Sequence, residues 1–234
     1  MPELPEVETT RRGISPHALG QTIERVNIYQ PRLRWPVPPE MAGTLQGQTL
    51  VDIRRRGKYL LFDVEPGTAL LHLGMSGSLR VVDAATPLKK HDHLELILSN
   101  ERILRFHDPR RFGSFLWADD WASHPLIAKL GPEPLGETFS AAHLYRRSRG
   151  RKAGIKVFVM NSEVVVGVGN IYASEALFKA GIHPKRAAGR ISMDRYKRLE
   201  SAIRGTLSAA IKMGGTTLRD FYGGDGEPGY FKQQ

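Results

Sequence analysis

The first residues of the chain place a potential nucleophile beside a carboxylate. The sequence begins Met1-Pro-Glu-Leu-Pro-Glu6, and removal of Met1 would leave Pro2 with a free secondary amine. Such an amine can attack an electrophilic carbon and form an iminium, by the same covalent chemistry as a Schiff-base lysine. An α-amino group has a reference pKa of about 7.7–8.0, so part of it is unprotonated near neutral pH. Glu3 could then move the protons that this chemistry requires.

The same residues also fit the beginning of a helix. Pro5 is favoured in a first helical turn, and Glu6 and Glu8 would lie favourably near the positive end of that helix. This interpretation needs no chemistry at Pro2. The first dozen residues leave both interpretations open, and the choice between them depends on the rest of the sequence.

Two glycine-flanked turns carry apolar side chains that have little core to enter. Met75 lies in Gly74-Met-Ser-Gly77, and Phe112 follows two arginines in Asp108-Pro-Arg-Arg-Phe-Gly113. Exposed apolar residues beside arginines are used by proteins that insert a wedge between base steps of DNA. The alternative is that both are ordinary core residues next to turns, which is the commoner situation for an isolated Met or Phe.

A glycine turn in the second half of the chain predicts an anion site. Residues 164–175 consist of an apolar approach, the turn Gly167-Val-Gly169, and then Asn170 as the N-cap of a helix. Backbone N–H groups at a helix start attract anions. A dinucleotide-binding motif is excluded, because no third glycine follows at the required spacing. A plain turn between helices remains the alternative.

Three further side chains are weaker candidates. Lys58 follows Arg54-Arg-Arg-Gly57 and, taken alone, is typical of a surface lysine that opens a strand. His91 and His93 flank Asp92, so either histidine could be a metal ligand. Because no third ligand lies in an obvious frame, a phosphate contact or a plain strand pair is favoured.

The net positive charge is concentrated in the last hundred residues. The chain has 234 residues and a net charge of +10. Residues 135–234 carry 17 of the 34 basic side chains but only 8 of the 24 acidic ones. Arg146-Arg-Ser-Arg-Gly-Arg-Lys152 lies within this half, as either a solvated face or a phosphate-facing one. The asymmetry indicates a polyanionic partner, nucleic acid before membrane, with a merely basic soluble protein as the alternative.

Composition excludes several classes of protein. No apolar run approaches the length of a membrane span, and the N-terminus lacks a signal-peptide pattern. We therefore expect a soluble, intracellular protein. The sequence contains no cysteine, which excludes a disulfide, a cysteine nucleophile and a thiolate metal site within these residues.

The hydrophobic pattern divides the chain into a strand-rich part and a helical part. After a helix at about 5–14, alternation predicts strands at 21–29, 49–55, 58–64, 70–73, 78–82, 93–98, 102–106 and 112–117, with a hairpin turn at Arg56-Gly57. Composition shifts at 130–135, and helices are predicted at 141–148, 155–160, 171–180 and 192–213, followed by a loop at 216–229. We expect an antiparallel β-sandwich or barrel over 1–130 and a helical domain over 131–234.

Together these motifs resemble the bacterial formamidopyrimidine-DNA glycosylases, which repair oxidised purines. The resemblance extends over essentially the whole sequence, and several long motifs in the right order are more specific than any one of them. They are Pro2-Glu-Leu-Pro-Glu-Val-Glu-Thr9, His72-Leu-Gly-Met-Ser-Gly77, Asp108-Pro-Arg-Arg-Phe-Gly113, Val166-Gly-Val-Gly-Asn-Ile-Tyr-Ala-Ser-Glu175, Gly214-Gly-Thr-Thr-Leu218 and Pro228-Gly-Tyr-Phe231. The resemblance implies an α+β fold of two lobes, with an N-terminal antiparallel β-sandwich and a leading helix in one and a helix–two-turns–helix motif in the helical lobe. Duplex DNA would lie in the cleft between the lobes, and the protein would be cytoplasmic and act at the bacterial nucleoid.

The resemblance also implies an activity and its catalytic residues. The enzyme would excise 8-oxoguanine and formamidopyrimidines through a Schiff base on Pro2, and would then cleave the strand by β,δ-elimination. Pro2 would be the nucleophile at C1′ of the damaged nucleoside. Glu3 would be the acid/base that assists sugar-ring opening. Lys58 would hold a phosphate and donate a proton during strand cleavage.

The DNA-contacting residues follow from the same resemblance. Three residues would fill the gap left by the flipped base, with Arg110 facing the orphaned cytosine: Met75, Arg110 and Phe112. The expected DNA contacts are His91, Arg110, Arg151, Asn170 and Tyr172. A loop that closes over the everted 8-oxoguanine would include Thr216, Thr217, Arg219 and Tyr222.

Two features of the sequence bear on that activity. The family ends in a four-cysteine finger that holds one structural zinc, and these residues contain no cysteine, so we expect no metal or cofactor in this chain. A retained Met1 would make the Pro2 nitrogen an amide, which cannot attack. The competing hypothesis is therefore a catalytically impaired lesion- or DNA-binding protein on the same scaffold. In both cases damaged double-stranded DNA is the expected partner of a monomer, with no membrane.

Overall fold

The computed structural model describes residues 1–215. Within this range the strands are β1 (Ile23–Ile28), β2 (Asp52–Arg56), β3 (Tyr59–Val64), β4 (Gly67–His72), β5 (Ser78–Asp83), β6 (Asp92–Leu98), β7 (Arg102–His107) and β8 (Ser114–Ala118). The α-helices are α1 (Leu4–Ala18), α2 (Met41–Leu45), α3 (Ala141–Ser148), α4 (Ile155–Met160), α5 (Asn170–Lys179) and α6 (Met193–Lys212). A short 3₁₀ segment spans Ala188–Arg190. None of the helices in this range is both long and apolar enough to span a lipid bilayer.

The eight strands form two antiparallel sheets of four strands each. Their orders are β1-β6-β7-β5 and β2-β3-β4-β8. The main core contains apolar side chains from both sheets and from α1, and a second large core is made by the helices after residue 138. The predicted α+β fold with two lobes is confirmed. The two separate cores support our proposal of a domain boundary near residue 130.

The first hairpin differs from the prediction by one residue. Arg56 pairs with Tyr59, so the turn consists of Gly57 and Lys58 and does not fall at Arg56-Gly57. Gly57 has φ +58°, which suits the first central position of a type II′ turn, the kind that matches strand twist. Lys58 therefore lies at the tip of the hairpin and does not open the strand.

Helix α1 is longer than its sequence indicates. We predicted an end near residue 14, because Gly13 and Pro16 are poor helix residues. The helix continues to Ala18, with Pro16 inside its last turn. Ile14 and Ala18 are both fully buried in the core, and that burial outweighs the backbone hydrogen bond that proline cannot make.

The helical lobe follows its predicted elements closely. The bounds predicted for α3 and the start predicted for α4 agree with the structure, and α6 differs by one residue at each end. The Ser140 hydroxyl accepts a hydrogen bond from the backbone N–H of His143 at 3.1 Å, which is a standard N-cap. The short helix α2 and the 3₁₀ segment were not predicted, since neither has a periodic apolar pattern long enough to detect.

Candidate active site and DNA-facing loops

The carboxylate of Glu3 caps the N-terminus of α5, although the two elements are far apart in sequence. Its oxygens accept hydrogen bonds from the backbone N–H groups of Gly169 at 2.7 Å, Ile171 at 2.9 Å and Tyr172 at 3.4 Å. Glu3 is 1% exposed. The positive end of a helix favours such an anion. The first residues of the strand-rich lobe are therefore held directly against the helical lobe.

The glycines of the Gly167-Val-Gly169 turn make this contact possible. A Cβ on Gly169 would lie 2.4 Å from Cδ of Glu3, and one on Gly167 would lie 2.6 Å from Cβ of Leu4. The backbone N–H of Leu4 also donates to the Gly167 carbonyl at 3.1 Å. The sequence predicted Asn170 as the N-cap, and this was wrong. Gly169 occupies the N-cap position, and Glu3 supplies the missing acceptor from another element.

Glu6 extends the contact between the lobes. Its Oε2 accepts the backbone N–H of Glu3 at 2.8 Å, and its Oε1 accepts the Tyr172 hydroxyl at 2.5 Å. Tyr172 is only 1% exposed. The ring is packed inside the helical lobe and its hydroxyl is directed at Glu6, so the side chain positions the N-terminus of α1. A contact between Tyr172 and DNA stays a prediction.

Lys58 lies close enough to Glu3 for the charge of each to affect the pKa of the other. Its hairpin approaches the glycine turn, since a Cβ on Gly57 would lie 3.1 Å from Cβ of Val166. Burial lowers the pKa of Lys58, against the opposing effect of the Glu3 and Glu6 charges. Burial likewise raises the pKa of Glu3, against the opposing charge of Lys58 and the backbone N–H groups. Both shifts favour the neutral forms, which suits groups that exchange protons. Pro2 is buried between Glu3 and the exposed Met1.

Glu133 holds the hairpin that carries Lys58. It accepts the backbone N–H of Gly57 at 2.6 Å, and it pairs with Arg55 at 2.7 Å and Arg56 at 3.0 Å. Glu133 belongs to the segment where the composition shifts between the lobes. The sequence analysis did not identify it, because a glutamate between two prolines carries no local sign of a partner almost eighty residues away.

The two apolar residues proposed as DNA wedges lie on adjacent loops. Met75 is 39% exposed and Phe112 is 44% exposed. A Cβ on Gly74 would lie 2.4 Å from the backbone nitrogen of Gly113, so the loops touch. The buried Asp108 carboxylate ties them together, accepting the Ser76 hydroxyl at 3.0 Å and the Gly113 N–H at 2.8 Å. The wedge loops, residues 74–77 and 108–113, thus present two apolar side chains from a rigid base.

The remaining candidates occupy different parts of the surface. Arg110 is exposed, and its Nε donates to the Ser76 hydroxyl at 3.3 Å. His91 is half-buried, and its carbonyl accepts the Asp108 N–H at 2.9 Å, which ties it to the wedge loops. Arg151 and Asn170 are exposed on the helical lobe, with Asn170 opening α5 beside the Glu3 cap. The predicted lesion-loop residues lie outside the described range: Thr216, Thr217, Arg219 and Tyr222.

His93, the other histidine beside Asp92, has a structural role. It is buried, and its Nε2 lies 2.7 Å from the Asp108 carbonyl. Within residues 1–215 no group of three or more His, Cys, Asp or Glu side chains could hold a metal ion. With no cysteine in the sequence, these residues do not fit a four-thiolate zinc site.

His72, at the base of the first wedge loop, is expected to make stability depend on pH. Burial, with the nearby charges of Lys58 and Arg34, lowers its pKa to about 4, and its Nδ1 accepts the Gly74 N–H at 2.9 Å. Between about pH 6.5 and 4 the unfolded chain binds a proton that the folded chain does not, so stability falls as pH falls. The loss attributable to His72 is at most about 3 kcal/mol.

Urea unfolding between pH 4 and 7 measures this effect. His72→Asn keeps an acceptor for Gly74 but does not titrate, so its free energy of unfolding should vary less over that range. His17→Asn, at an exposed position, is the matched control and should follow the unmodified chain. Identical pH profiles for His72→Asn and the unmodified chain would contradict the prediction.

Comparison with known proteins identifies the family. The model of the formamidopyrimidine-DNA glycosylase N-terminal domain matches residues 1–115, and the model of the formamidopyrimidine-DNA glycosylase H2TH domain matches residues 130–222. The formamidopyrimidine-DNA glycosylase of Marinobacter nauticus is 63% identical over 233 residues, covering 100% of this chain and 86% of that protein. The protein of the same name from Stutzerimonas stutzeri is 59% identical over 234 residues, covering 100% and 87%.

Solved structures agree with these relatives. The MutM (Fpg) protein from Thermus thermophilus superposes with a TM-score of 0.87 at 38% identity, covering 97% of this chain and 84% of that one. A Lactococcus lactis Fpg (MutM) in complex with DNA containing N7-benzyl-Fapy-dG gives a TM-score of 0.89 at 33% identity, covering 97% and 85%. The resemblance inferred from the motifs is confirmed, and the chain belongs to the formamidopyrimidine-DNA glycosylase family.

Proposed function

We propose that this protein is a base-excision repair enzyme that removes oxidised purines, 8-oxoguanine and formamidopyrimidines, from duplex DNA and then cleaves the strand. A relative that is 63% identical carries the glycosylase name, and the Lactococcus lactis structures include complexes with DNA containing Fapy-dG or an abasic site. The observation that carries the proposal is the buried Glu3 carboxylate between Pro2 and the positive end of α5, with Lys58 in the same environment.

The wedge loops support base eversion. A glycosylase must take its target base out of the stack, which costs a few kcal/mol of lost stacking and pairing. Met75 and Phe112 expose apolar surface that can replace the lost stacking, and Arg110 lies beside them with donors for the orphaned base. A positively charged helical lobe supplies phosphate contacts, for which Arg151 and Asn170 are our candidates. His91 is a further candidate on the strand-rich lobe, beside the wedge loops. Residues 216–222 are proposed to cover the everted lesion.

The first chemical step is assigned to Pro2. Its unprotonated nitrogen attacks C1′, a bond forms between nitrogen and C1′, and the bond from C1′ to the damaged base breaks as the base leaves with its electron pair. The Glu3 carboxylate takes the proton that the proline nitrogen carries after the attack, and the departed base takes a proton from water. Glu3, now in its acid form, donates its proton to O4′, the bond from C1′ to O4′ breaks, and the sugar ring opens to give an iminium on the proline nitrogen. Burial raises the pKa of Glu3, which favours the acid form from which this proton is donated.

Strand cleavage follows from the acidity of the iminium. Loss of a proton from C2′ expels the 3′ phosphate, a second elimination expels the 5′ phosphate, and water releases the proline. Lys58 is proposed to hold a phosphate and to supply a proton to a departing group. Because Pro2, Glu3 and Lys58 all come from one chain, we propose that the protein acts as a monomer.

Borohydride trapping tests the proposal. Purified protein, with Met1 removal confirmed by mass spectrometry, is incubated with a duplex that carries one 8-oxoguanine opposite cytosine and is then reduced. We expect a covalent adduct whose cross-linked peptide maps to Pro2. The matched control is the same protein with Met1 retained, in which the Pro2 nitrogen is an amide and no adduct should form.

Two results would overturn the mechanism. An adduct on a lysine, with Pro2 unmodified, would move the nucleophile elsewhere. Failure to form any adduct, with Met1 removed and binding to the lesion duplex intact, would favour the competing hypothesis of a DNA-binding protein on a glycosylase scaffold.

A further inference from the structure

His107 occupies the end of the sheet from which both wedge loops emerge. It is the last residue of β7, and it pairs with Ser78 of β5 on one side and Asp92 of β6 on the other. Ser78 directly follows the first wedge loop, and Asp108 begins the second. The ring of His91, a candidate phosphate contact, lies 5.9 Å from the ring of His107. His107 is therefore next to surfaces that the proposed function brings against DNA.

Asp92 fixes both the orientation and the tautomer of the His107 ring. The Nδ1 atom lies 2.8 Å from Oδ1 of Asp92, whose side chain is fully buried, while His107 keeps 23% of its side chain exposed. An ionised carboxylate only accepts hydrogen bonds, so Nδ1 carries the hydrogen. Within residues 1–215 this is the only hydrogen bond found for the ring. Nε2, at its far corner, can therefore donate only when the ring is an imidazolium.

The charged side chains around His107 already balance one another, so they do not offset the positive charge of a protonated His107. Asp92 also lies 3.5 Å from Arg80 and 3.8 Å from Arg105, and Arg105 pairs with Glu95 at 2.6 Å. Two carboxylates and two guanidinium groups thus balance one another on this face of the sheet. A proton on His107 adds one positive charge at the exposed edge of a neutral cluster. An anion beyond Nε2 would stabilise that charge.

We propose that His107 is a further phosphate-binding residue, whose imidazolium is oriented by Asp92 and donates Nε2–H to a phosphate of the duplex beside the one that His91 contacts. The ligand is thus a phosphodiester of the DNA backbone. This inference rests on the proposed function, because it requires duplex DNA against the wedge loops. Its contact is independent of the lesion, since phosphates carry no base identity.

A structural clamp between β6 and β7 is the competing role for the same hydrogen bond. The two roles differ in what they predict for binding. A phosphate contact adds about 0.9 to the slope of log K against log salt concentration, equally for damaged and undamaged duplex. A clamp affects thermal stability and leaves that slope unchanged.

Fluorescence anisotropy titrations at pH 6.0, from 50 to 200 mM salt, separate these roles. The probes are an 8-oxoguanine·cytosine duplex and its undamaged counterpart. Over this range the unmodified protein should lose about 3.5-fold more affinity than His107→Gln, for both duplexes, because it releases one more counterion. His107→Arg should restore the slope, and His17→Gln, at an exposed position on α1, should not alter it.

An unchanged slope for His107→Gln at pH 6.0, with or without a lower Tm, would overturn the inference. Borohydride trapping of the unmodified protein with the lesion duplex is measured in parallel. A missing adduct together with a slope that depends on His107 would overturn the glycosylase mechanism and leave this contact standing, so the two failures are distinguished.

Discussion

Replacing Glu3 with glutamine is expected to slow base excision by about 10²- to 10⁴-fold, the usual range for loss of a general acid/base. The amide has the size and shape of the carboxyl group but cannot donate a proton to O4′ or remove one from the amine. Its single carbonyl oxygen can still accept one of the N–H groups at the start of α5. DNA binding and the fold should therefore survive while chemistry is lost.

Single-turnover excision of 8-oxoguanine measures the effect, with affinity for the lesion duplex and Tm recorded alongside. Glu24→Gln makes the same chemical change on an exposed strand position and should leave all three quantities unchanged. If Glu3→Gln excises at the normal rate, proton transfer by this carboxyl is not required. If it loses binding in the same proportion as rate, Glu3 acts mainly as a cap that holds the lobes together.

Hairpin turns and helix ends that are fixed by residues adjacent in the sequence can be predicted from the sequence. Alternating apolar residues and Gly57 define the first hairpin to within one residue. The bounds of α3 follow from a serine cap and a short apolar repeat. Each of these signals lies within a few residues of the element that it predicts, because turns and caps are satisfied locally.

The internal geometry of the site cannot be predicted in this way. Glu3 caps a helix that begins 167 positions later, and Tyr172 donates to Glu6 across the same boundary. Asn170 has the right residue type for a cap, so a local rule assigns it that role. In the structure Gly169 is the N-cap residue, and the carboxylate of Glu3, a stronger acceptor than an amide, accepts the N–H groups at the start of α5. Lys58 is likewise an ordinary lysine until Glu133 and Val166 place its hairpin beside the buried carboxylates.

The candidate active site forms only where the two lobes touch, because Glu3 of one lobe is held by backbone N–H groups of the other. The strand-rich lobe carries Pro2, Glu3 and Lys58, yet the groups that orient Glu3 belong to the helical lobe. Catalytic groups must be held within a fraction of an ångström of their working positions. A change at the glycine turn, which carries no reactive group, should therefore be almost as damaging as removal of the carboxyl itself.

Gly169→Ala is expected to lower single-turnover excision by about 10²-fold, the cost of displacing a catalytic group by about an ångström. Gly169 has φ −121° and ψ −158°, which alanine adopts without strain, so only the added Cβ matters. That atom would lie 2.4 Å from Cδ of Glu3. The carboxylate must move away from the start of α5, and the loss of this cap should also cost about 1 kcal/mol of stability.

The control for this prediction is Gly205→Ala, in the middle of α6, where an added Cβ meets nothing within 4 Å. It should leave excision unchanged and raise stability by about 1 kcal/mol, because alanine favours the helix. Combining Gly169→Ala with Glu3→Gln distinguishes positioning from a general disturbance. If Gly169 acts through Glu3, the double variant should be no slower than Glu3→Gln alone. Additive losses would mean that the glycine turn serves catalysis through another group, with Lys58 the nearest candidate.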